Sequence, residues 1–235
     1  MQAVILAGGL GTRLQPYTFF IPKPMLPLGN KPLLEHLIEW IANIGIIDEV
    51  IICVSYLHRS IEDYFEDGAR FGIKISYVRS EKPLATAGQL KTAESVLQDR
   101  FVCLYGDSVY DFNLEKMINN HVRSNAFLSM ALMHYKTRLK YGFIEIRKSN
   151  KNVTEWREKP EVGGLINIGC YIMEKDFLKL IPRHSTIGMD KIVEKAIKMK
   201  RLVKAFTIES GFIDIGDKRS YLEAYKEYTK KLGKI

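Results

Sequence analysis

An α/β fold with a mainly parallel sheet layered between helices is what this sequence predicts, on three observations. Apolar runs of strand length alternate with amphipathic segments through the first half of the chain, the pattern of βαβ units and a mainly parallel sheet. The first run, Ala3, Val4, Ile5, Leu6 and Ala7, is nearly continuous in apolar residues, which suits a strand buried on both faces. It empties into a glycine-rich turn at Gly8, Gly9 and Gly11, where the backbone bends sharply and offers N–H groups to an anion without Cβ interference.

The elements follow in order. KPLLEHLIEWIANIG puts Pro32 in a first turn, apolar Leu33, Leu34, Leu37, Ile38, Ile41 and Ile44 at helical spacing, and Gly45 at the end; this is an amphipathic helix with both end signals. Next come a strand at EVIICVS, a helix through SIEDYFEDGARFG, a strand at KISYV, a helix from Thr86 to Leu97 and a strand at FVCLYGD. In such a sheet the ligand lies beyond the carboxyl ends of the strands, which is where the glycine turn and Asp107 both fall. The second half reads as strands at AFLSMALMHY, GFIEIR, VTEWRE and LINIGCYIM, with helices at DFLKLIP and DKIVEKAIKMK. It forms a subregion over roughly residues 126–210 of one continuous domain spanning 1–235, with no linker composition and no internal repeat.

Composition narrows the class. With 46% hydrophobic and 26% charged residues, the chain has the make-up of an ordinary globular protein, and no stretch reaches the apolar length a bilayer requires. The amino terminus runs straight into a strand without a leader pattern, so a cytoplasmic protein without a membrane partner is expected. Cys53, Cys103 and Cys170 each sit in an apolar run and lack CxxC spacing, which argues against a disulfide framework or zinc site. The formal charge of +8 is scattered among acidic residues, without the aromatic-studded basic stripe of a nucleic-acid surface.

The glycine turn matches neither common phosphate motif. GGLGTRL lacks the GxxxxGK of a P-loop and the GxGxxG of a dinucleotide fold. Further on, Lys23 is held between Pro22 and Pro24, which restrains its backbone on both sides.

These residues carry a resemblance. GGLGTRLQPYTFFIPKP resembles the opening of the sugar-1-phosphate nucleotidyltransferases, the NDP-sugar pyrophosphorylases, whose pattern GGxGTRLxPxTxxxPKP is met at every fixed position. The resemblance implies a Rossmann-like αβα sandwich of the nucleotide-diphospho-sugar transferase type with a mixed, mainly parallel sheet. It also implies transfer of a nucleoside monophosphate from an NTP to a sugar 1-phosphate, with Mg²⁺ as cofactor and pyrophosphate as leaving group. Because the chain ends soon after FIDIG with the helix DKRSYLEAYKEYTKKL, no carboxyl-terminal β-helix or second enzymatic domain is expected. Relatives commonly assemble, so a homo-oligomer is an expected partner state.

By resemblance the nucleotide meets Leu6, Ala7, Gly8, Gly9, Gly11, Thr12 and Arg13, then Pro83, Thr86, Ala87 and Gly88 of PLATAGQL, and Asp107. Arg13 and Lys23 are the catalytic candidates: a permanently charged fork suits the departing pyrophosphate, and Lys23 reaches the phosphate under attack. Asp107 and Asp214 match the metal positions, in keeping with the oxygen ligands Mg²⁺ prefers. The sugar phosphate is assigned to Lys23, Gly142, Glu158, Lys159, Asn167 and Gly169. PLATAGQL resembles the family's PLGTAGAL; Ala85 stands where that pattern has glycine, and is strained if the position needs positive φ. The family usually reads NAG where this chain has Asn167, Ile168 and Gly169, so Ile168 is a departure.

A phosphate monoester is already largely dianionic at neutral pH, so no general base is needed, and none of His36, His58, His121, His134, His184 or the cysteines is expected to be catalytic. VSYLHRSIEDYF and PLATAGQL look closest to mannose-1-phosphate guanylyltransferases. Heptose-1-phosphate guanylyltransferases and the glucose-1-phosphate thymidylyl and uridylyl enzymes stay open. A nucleotide-sugar-sensing subunit without catalysis is the alternative of a different class.

Overall fold

The protein is described by a computed structural model covering residues 1–232. In chain order the strands are β1 (Gln2–Leu6), β2 (Pro27–Leu28), β3 (Lys31–Pro32), β4 (Glu49–Val54), β5 (Lys74–Arg79), β6 (Arg100–Tyr105), β7 (Ser108–Tyr110), β8 (Leu128–Arg138), β9 (Phe143–Ile146), β10 (Val153–Arg157), β11 (Glu161–Glu174), β12 (Val203–Ile208) and β13 (Phe212–Asp214). The helices are α1 (Leu33–Ile44), α2 (His58–Phe65), α3 (Ala85–Thr92), α4 (Leu114–Ser124), α5 (Met189–Lys198) and α6 (Lys218–Leu232).

Seven strands form the main sheet in the order β12-β8-β11-β6-β1-β4-β5. The pairs β1–β4, β1–β6, β4–β5 and β8–β12 are parallel, and only β11 runs against its neighbours β6 and β8. The sheet is therefore mixed and mainly parallel, and strands of both halves of the chain share it.

The continuous apolar run of β1 has a direct cause. Ala3 and Ile5 point into a core with Leu34 and Ile38 of α1, Phe65 of α2 and Met117 of α4, while Val4 and Leu6 point into a second core with Leu90 of α3 and Ile192 of α5. A strand sandwiched between helices has no polar face to offer. A third cluster joins Leu14, Leu26, Leu28 and Leu33 to Tyr221 and Ala224 of α6, tying the last helix to the segment that follows the glycine turn. No β-helix is present among the described residues.

Several boundaries differ from the sequence reading. The helix expected through Gly72 ends at Phe65, because Glu66, Gly68 and Gly72 all take positive φ; the rest becomes a 3-10 turn at Ala69–Phe71. α3 stops at Thr92 rather than Leu97, and DFLKLIP forms a 3-10 helix, Lys175–Leu180. β12 has no counterpart in the sequence reading: it is an edge strand whose exposed Lys204 and Thr207 give it little apolar signature.

Candidate active site

The site grows from two neighbouring strand ends. Leu6 of β1 is in register with Tyr105 of β6, and Gly106 N–H donates to Leu6 C=O at 3.1 Å. The glycine turn and the Gly106-Asp107 pair therefore leave the sheet side by side. At Gly106 a Cβ would stand only 3.1 Å from that carbonyl, so the close approach depends on glycine.

Lys23 opens the 3-10 turn Lys23–Met25, where the two prolines and the lysine are all buried. Its ammonium makes an ion pair with the Asp107 carboxylate, with the lysine side chain 9% exposed. The second carboxylate arrives by strand pairing: β13 sets Asp214 opposite Ser108 of β7, and Ile215 N–H donates to Asp107 C=O at 3.3 Å. Burial, and next the Asp107 charge, push the Asp214 carboxyl above its ordinary value, while Lys23 and Arg13 pull it back. Two repelling carboxylates between two cations leave an oxygen-only pair that a hard divalent cation fits, with bound phosphates completing its shell. No group of three or more His, Cys, Asp or Glu that could hold a metal occurs among the described residues, so protein ligands alone do not complete such a site.

A cavity of about 800 Å³ opens over this pair, with Arg13, Tyr105, Asp107, Asn167, Gly169 and Asp214 in its wall. A smaller one of about 100 Å³ lies against Leu6, Ala7, Gly9, Lys23, Thr86 and Gln89 and shares Tyr105, Thr86 and Asp107 with the first. Arg13 is exposed on the turn Thr12–Leu14, which follows Gly11 in the left-handed conformation. Gly8 is buried, and Gly9 stands open to solvent.

The start of α3 is more enclosed than its motif suggests. Ala87 and Gly88 N–H both donate to Ile187 C=O, at 3.0 and 3.2 Å, and a Cβ on Gly88 would run into the Ser185 carbonyl. Thr86 Oγ1 accepts from Met189 N–H at 2.8 Å, capping the start of α5 while still facing both cavities. Pro83 is half-buried. Ala85 sits at φ 54°, so the position does take the conformation that favours glycine.

The residues assigned to the sugar phosphate fall into two groups. Asn167 and Gly169 border the large cavity beside Tyr105. There Asn167 Oδ1 accepts from Gly169 N–H at 3.1 Å, its Nδ2 donates to the Tyr171 hydroxyl at 2.5 Å, and that hydroxyl lies 3.1 Å from the Tyr105 hydroxyl. Gly142, Glu158 and Lys159 instead gather at the base of the exposed β9–β10 hairpin: a Cβ on Gly142 would lie 3.0 Å from Trp156 and 3.1 Å from Glu158 Oε2. Glu158 and Lys159 are 60% and 59% exposed, and none of the three lines the cavity.

Sequence reasoning passed over Tyr105, Tyr135, Ser108, Asp217 and Glu223, which also line the large cavity. The last two belong to the start of α6 and its cap, and only the packing of that helix brings them there. The cysteines lie in β4, β6 and β11, where burial pushes the Cys53 thiol up to about 12 and raises Cys103 and Cys170 as well. His121 is enclosed between Ser129 and Glu174, and none of the five histidines lines the large cavity.

The profile of the nucleotidyl transferase family matches residues 2–231. The chain belongs to that family. It is 36% identical over 231 residues to D-glycero-alpha-D-manno-heptose 1-phosphate guanylyltransferase of Aneurinibacillus thermoaerophilus, covering 97% of this chain and 98% of that protein. Mannose-1-phosphate guanyltransferase of Yarrowia lipolytica is 30% identical over 243 residues, covering all of this chain and 66% of the longer protein. Among solved structures, HddC from Yersinia pseudotuberculosis complexed with GMP-PN superposes with a TM-score of 0.75 at 27% identity, over 97% of this chain and 99% of that one. This nucleotidyltransferase is thus an enzyme of NDP-sugar synthesis by family. No helix among its described residues is long and apolar enough to cross a membrane.

Proposed function

We propose that this nucleotidyltransferase moves GMP from GTP to a manno-configured sugar 1-phosphate, with D-glycero-α-D-manno-heptose 1-phosphate as the preferred acceptor and Mg²⁺ as the metal. The observation that carries the reading is the convergence of the glycine turn, the Lys23–Asp107 pair and Asp214 at the carboxyl ends of adjacent strands, around two cavities that meet at Asp107. Guanine and the heptose are favoured by the relatives that match the chain end to end. Mannose 1-phosphate, the sugar ranked first from sequence, is the second reading, supported by the 30–32% identity to mannose-specific relatives over the whole chain.

In this reaction an oxygen of the sugar phosphate forms a bond to the α-phosphorus of GTP as the bond from that phosphorus to the β-phosphate bridging oxygen breaks, releasing pyrophosphate. The acceptor is already dianionic near neutral pH, so no side chain needs to take a proton from it. Arg13 stabilises the charge growing on pyrophosphate, Lys23 the phosphate under attack, and Gly9 and its neighbours supply backbone donors. Asp107 and Asp214 would hold the metal, which when bound screens repulsion between the two anions. Asn167 orients sugar hydroxyls, while Glu158 and Lys159, which stand outside the cavity wall, are assigned to the sugar side on the resemblance alone.

A pyrophosphate-release assay with Mg²⁺, crossing GTP, dTTP, UTP and ATP against heptose, mannose and glucose 1-phosphates, tests the reading, with Asp107→Ala as control. Strongest turnover is expected for GTP with the heptose phosphate, lost in the variant. Preference for dTTP or UTP with glucose 1-phosphate overturns the substrate assignment, and nucleotide binding without turnover of any pair favours a sensing subunit.

A further inference from the structure

Gln89 is an anomaly in the wall of the small cavity. Alanine stands at its place in PLGTAGAL, yet here a long polar side chain is 5% exposed on α3. Burial of an amide is unfavourable unless both its ends find partners. One end does: Gly8 N–H donates to Gln89 Oε1 at 2.9 Å. Since a backbone N–H can only donate, this bond settles which end of the amide faces the glycine turn.

The other end is free. Gln89 Nε2 has no hydrogen-bond partner among the described residues, and it is not sealed away from solvent. The residue borders the cavity of about 100 Å³ with Leu6, Ala7, Gly9 and Thr86. An N–H₂ donor is therefore held rigidly at the wall of the nucleotide site, next to the turn that its own oxygen fixes.

We propose that Gln89 is a specificity-determining residue for the nucleobase: its Oε1 holds Gly8 in place while its Nε2 donates to a ring carbonyl oxygen of the bound nucleotide. The assignment rests on the nucleotide reading above. Guanine, thymine and uracil present such an oxygen, whereas adenine presents an amino group that would meet Nε2 donor to donor. A site built to donate at this point discriminates by leaving a polar group unpaired in the wrong complex.

The test is equilibrium binding of GTP, UTP and ATP to the whole protein, wild type against Gln89→Glu and Gln89→Met. Glutamate keeps an acceptor for Gly8 N–H but replaces the donor with an acceptor. In Gln89→Glu at pH 8, GTP affinity should fall about tenfold while ATP binding holds or tightens, so the GTP-to-ATP preference collapses. Lowering the pH, which protonates the new carboxyl and restores a donor, should bring GTP binding back towards wild type. Gln89→Met adds no charge but removes both the donor and the acceptor that holds Gly8, so a loss from the freed glycine falls on every nucleotide, and the GTP-to-ATP preference should still fall; that ratio decides between the outcomes if the glutamate variant fails to fold. Equal losses for all three nucleotides, or an unchanged GTP-to-ATP ratio, overturn the role of Gln89 and leave the nucleotide reading standing. A wild-type protein that binds none of the three overturns both.

Discussion

Replacing Gly169 with alanine tests whether the wall of the large cavity is held by close packing of β11 on β6. Gly169 is buried at φ +75°, and an alanine Cβ would lie 2.5 and 2.6 Å from two ring atoms of Tyr105. The left-handed conformation costs an L-residue about 1–2 kcal/mol. Relieving the overlap, by moving the ring or the strand, costs about 1–3 kcal/mol more. The expected loss is therefore about 2–5 kcal/mol, or at least about 4 °C in melting temperature for a chain of this size.

The effect should also reach function. Tyr105 is linked through the Tyr171 hydroxyl to Asn167, whose Oδ1 is held by the Gly169 N–H itself. Displacing the ring should raise KM for the sugar 1-phosphate more than KM for the nucleotide. Urea unfolding of Gly169→Ala, Tyr105→Ala and the double variant separates the two contributions: without the ring, alanine at 169 should cost only the backbone part, about 1–2 kcal/mol. Gly164→Ala, on the same strand with no neighbour within 4 Å and no positive φ, is the control and should stay within about 0.5 kcal/mol of wild type. An equal cost at 169 with and without the tyrosine ring would refute the overlap, and a cost below about 0.5 kcal/mol the whole account.

Three further outcomes are expected. Lys23→Met should lower kcat about 10²–10³-fold through loss of charge at the phosphate, and steady-state kinetics showing only a KM change would assign Lys23 to binding alone. Asp214→Asn should abolish turnover yet stabilise the free protein at neutral pH. A carboxyl whose folded pKa is raised contributes stability below the ordinary carboxylate pKa, and that contribution is lost as pH rises through the folded value. Melting curves should therefore show the two proteins converging in acid and diverging towards pH 7, and a variant no more stable at pH 7 contradicts the raised pKa. Ala85→Gly, relieving φ 54°, should raise stability by about 1 kcal/mol, and an unchanged urea midpoint would show that this turn carries no strain.

The convergence of the residues proposed for the phosphates was legible in sequence because it is encoded locally. A run of apolar residues, three glycines and a proline-bracketed lysine lie within 24 residues of chain, and β1 and β6 bring their ends together by simple parallel pairing. The aromatic-rich second half was less legible. Gly163 and Gly164 masked the start of β11, which runs from Glu161 through to Glu174, and a register shift between Asn167 and Tyr171 rather than any motif turns the Asn167 region towards Tyr105. Ala85 was readable as a departure, but only the backbone shows that alanine occupies a glycine conformation there.

Gln89 marks where local reading ends. From sequence it was one polar residue in an α3 segment noted for Thr86 and Gly88, but those two positions are engaged by the protein itself, through Met189 and Ser185. The side chain that borders the small cavity with a free donor is the one the motif does not contain. A family pattern points to positions that every member shares, whereas discrimination among bases needs groups that differ between members. It follows that the specificity of this enzyme should be sought at its departures from the pattern, Ala85, Gln89 and Ile168, and that exchanging Gln89 should alter which nucleotide is used without removing the chemistry proposed for Arg13, Lys23, Asp107 and Asp214.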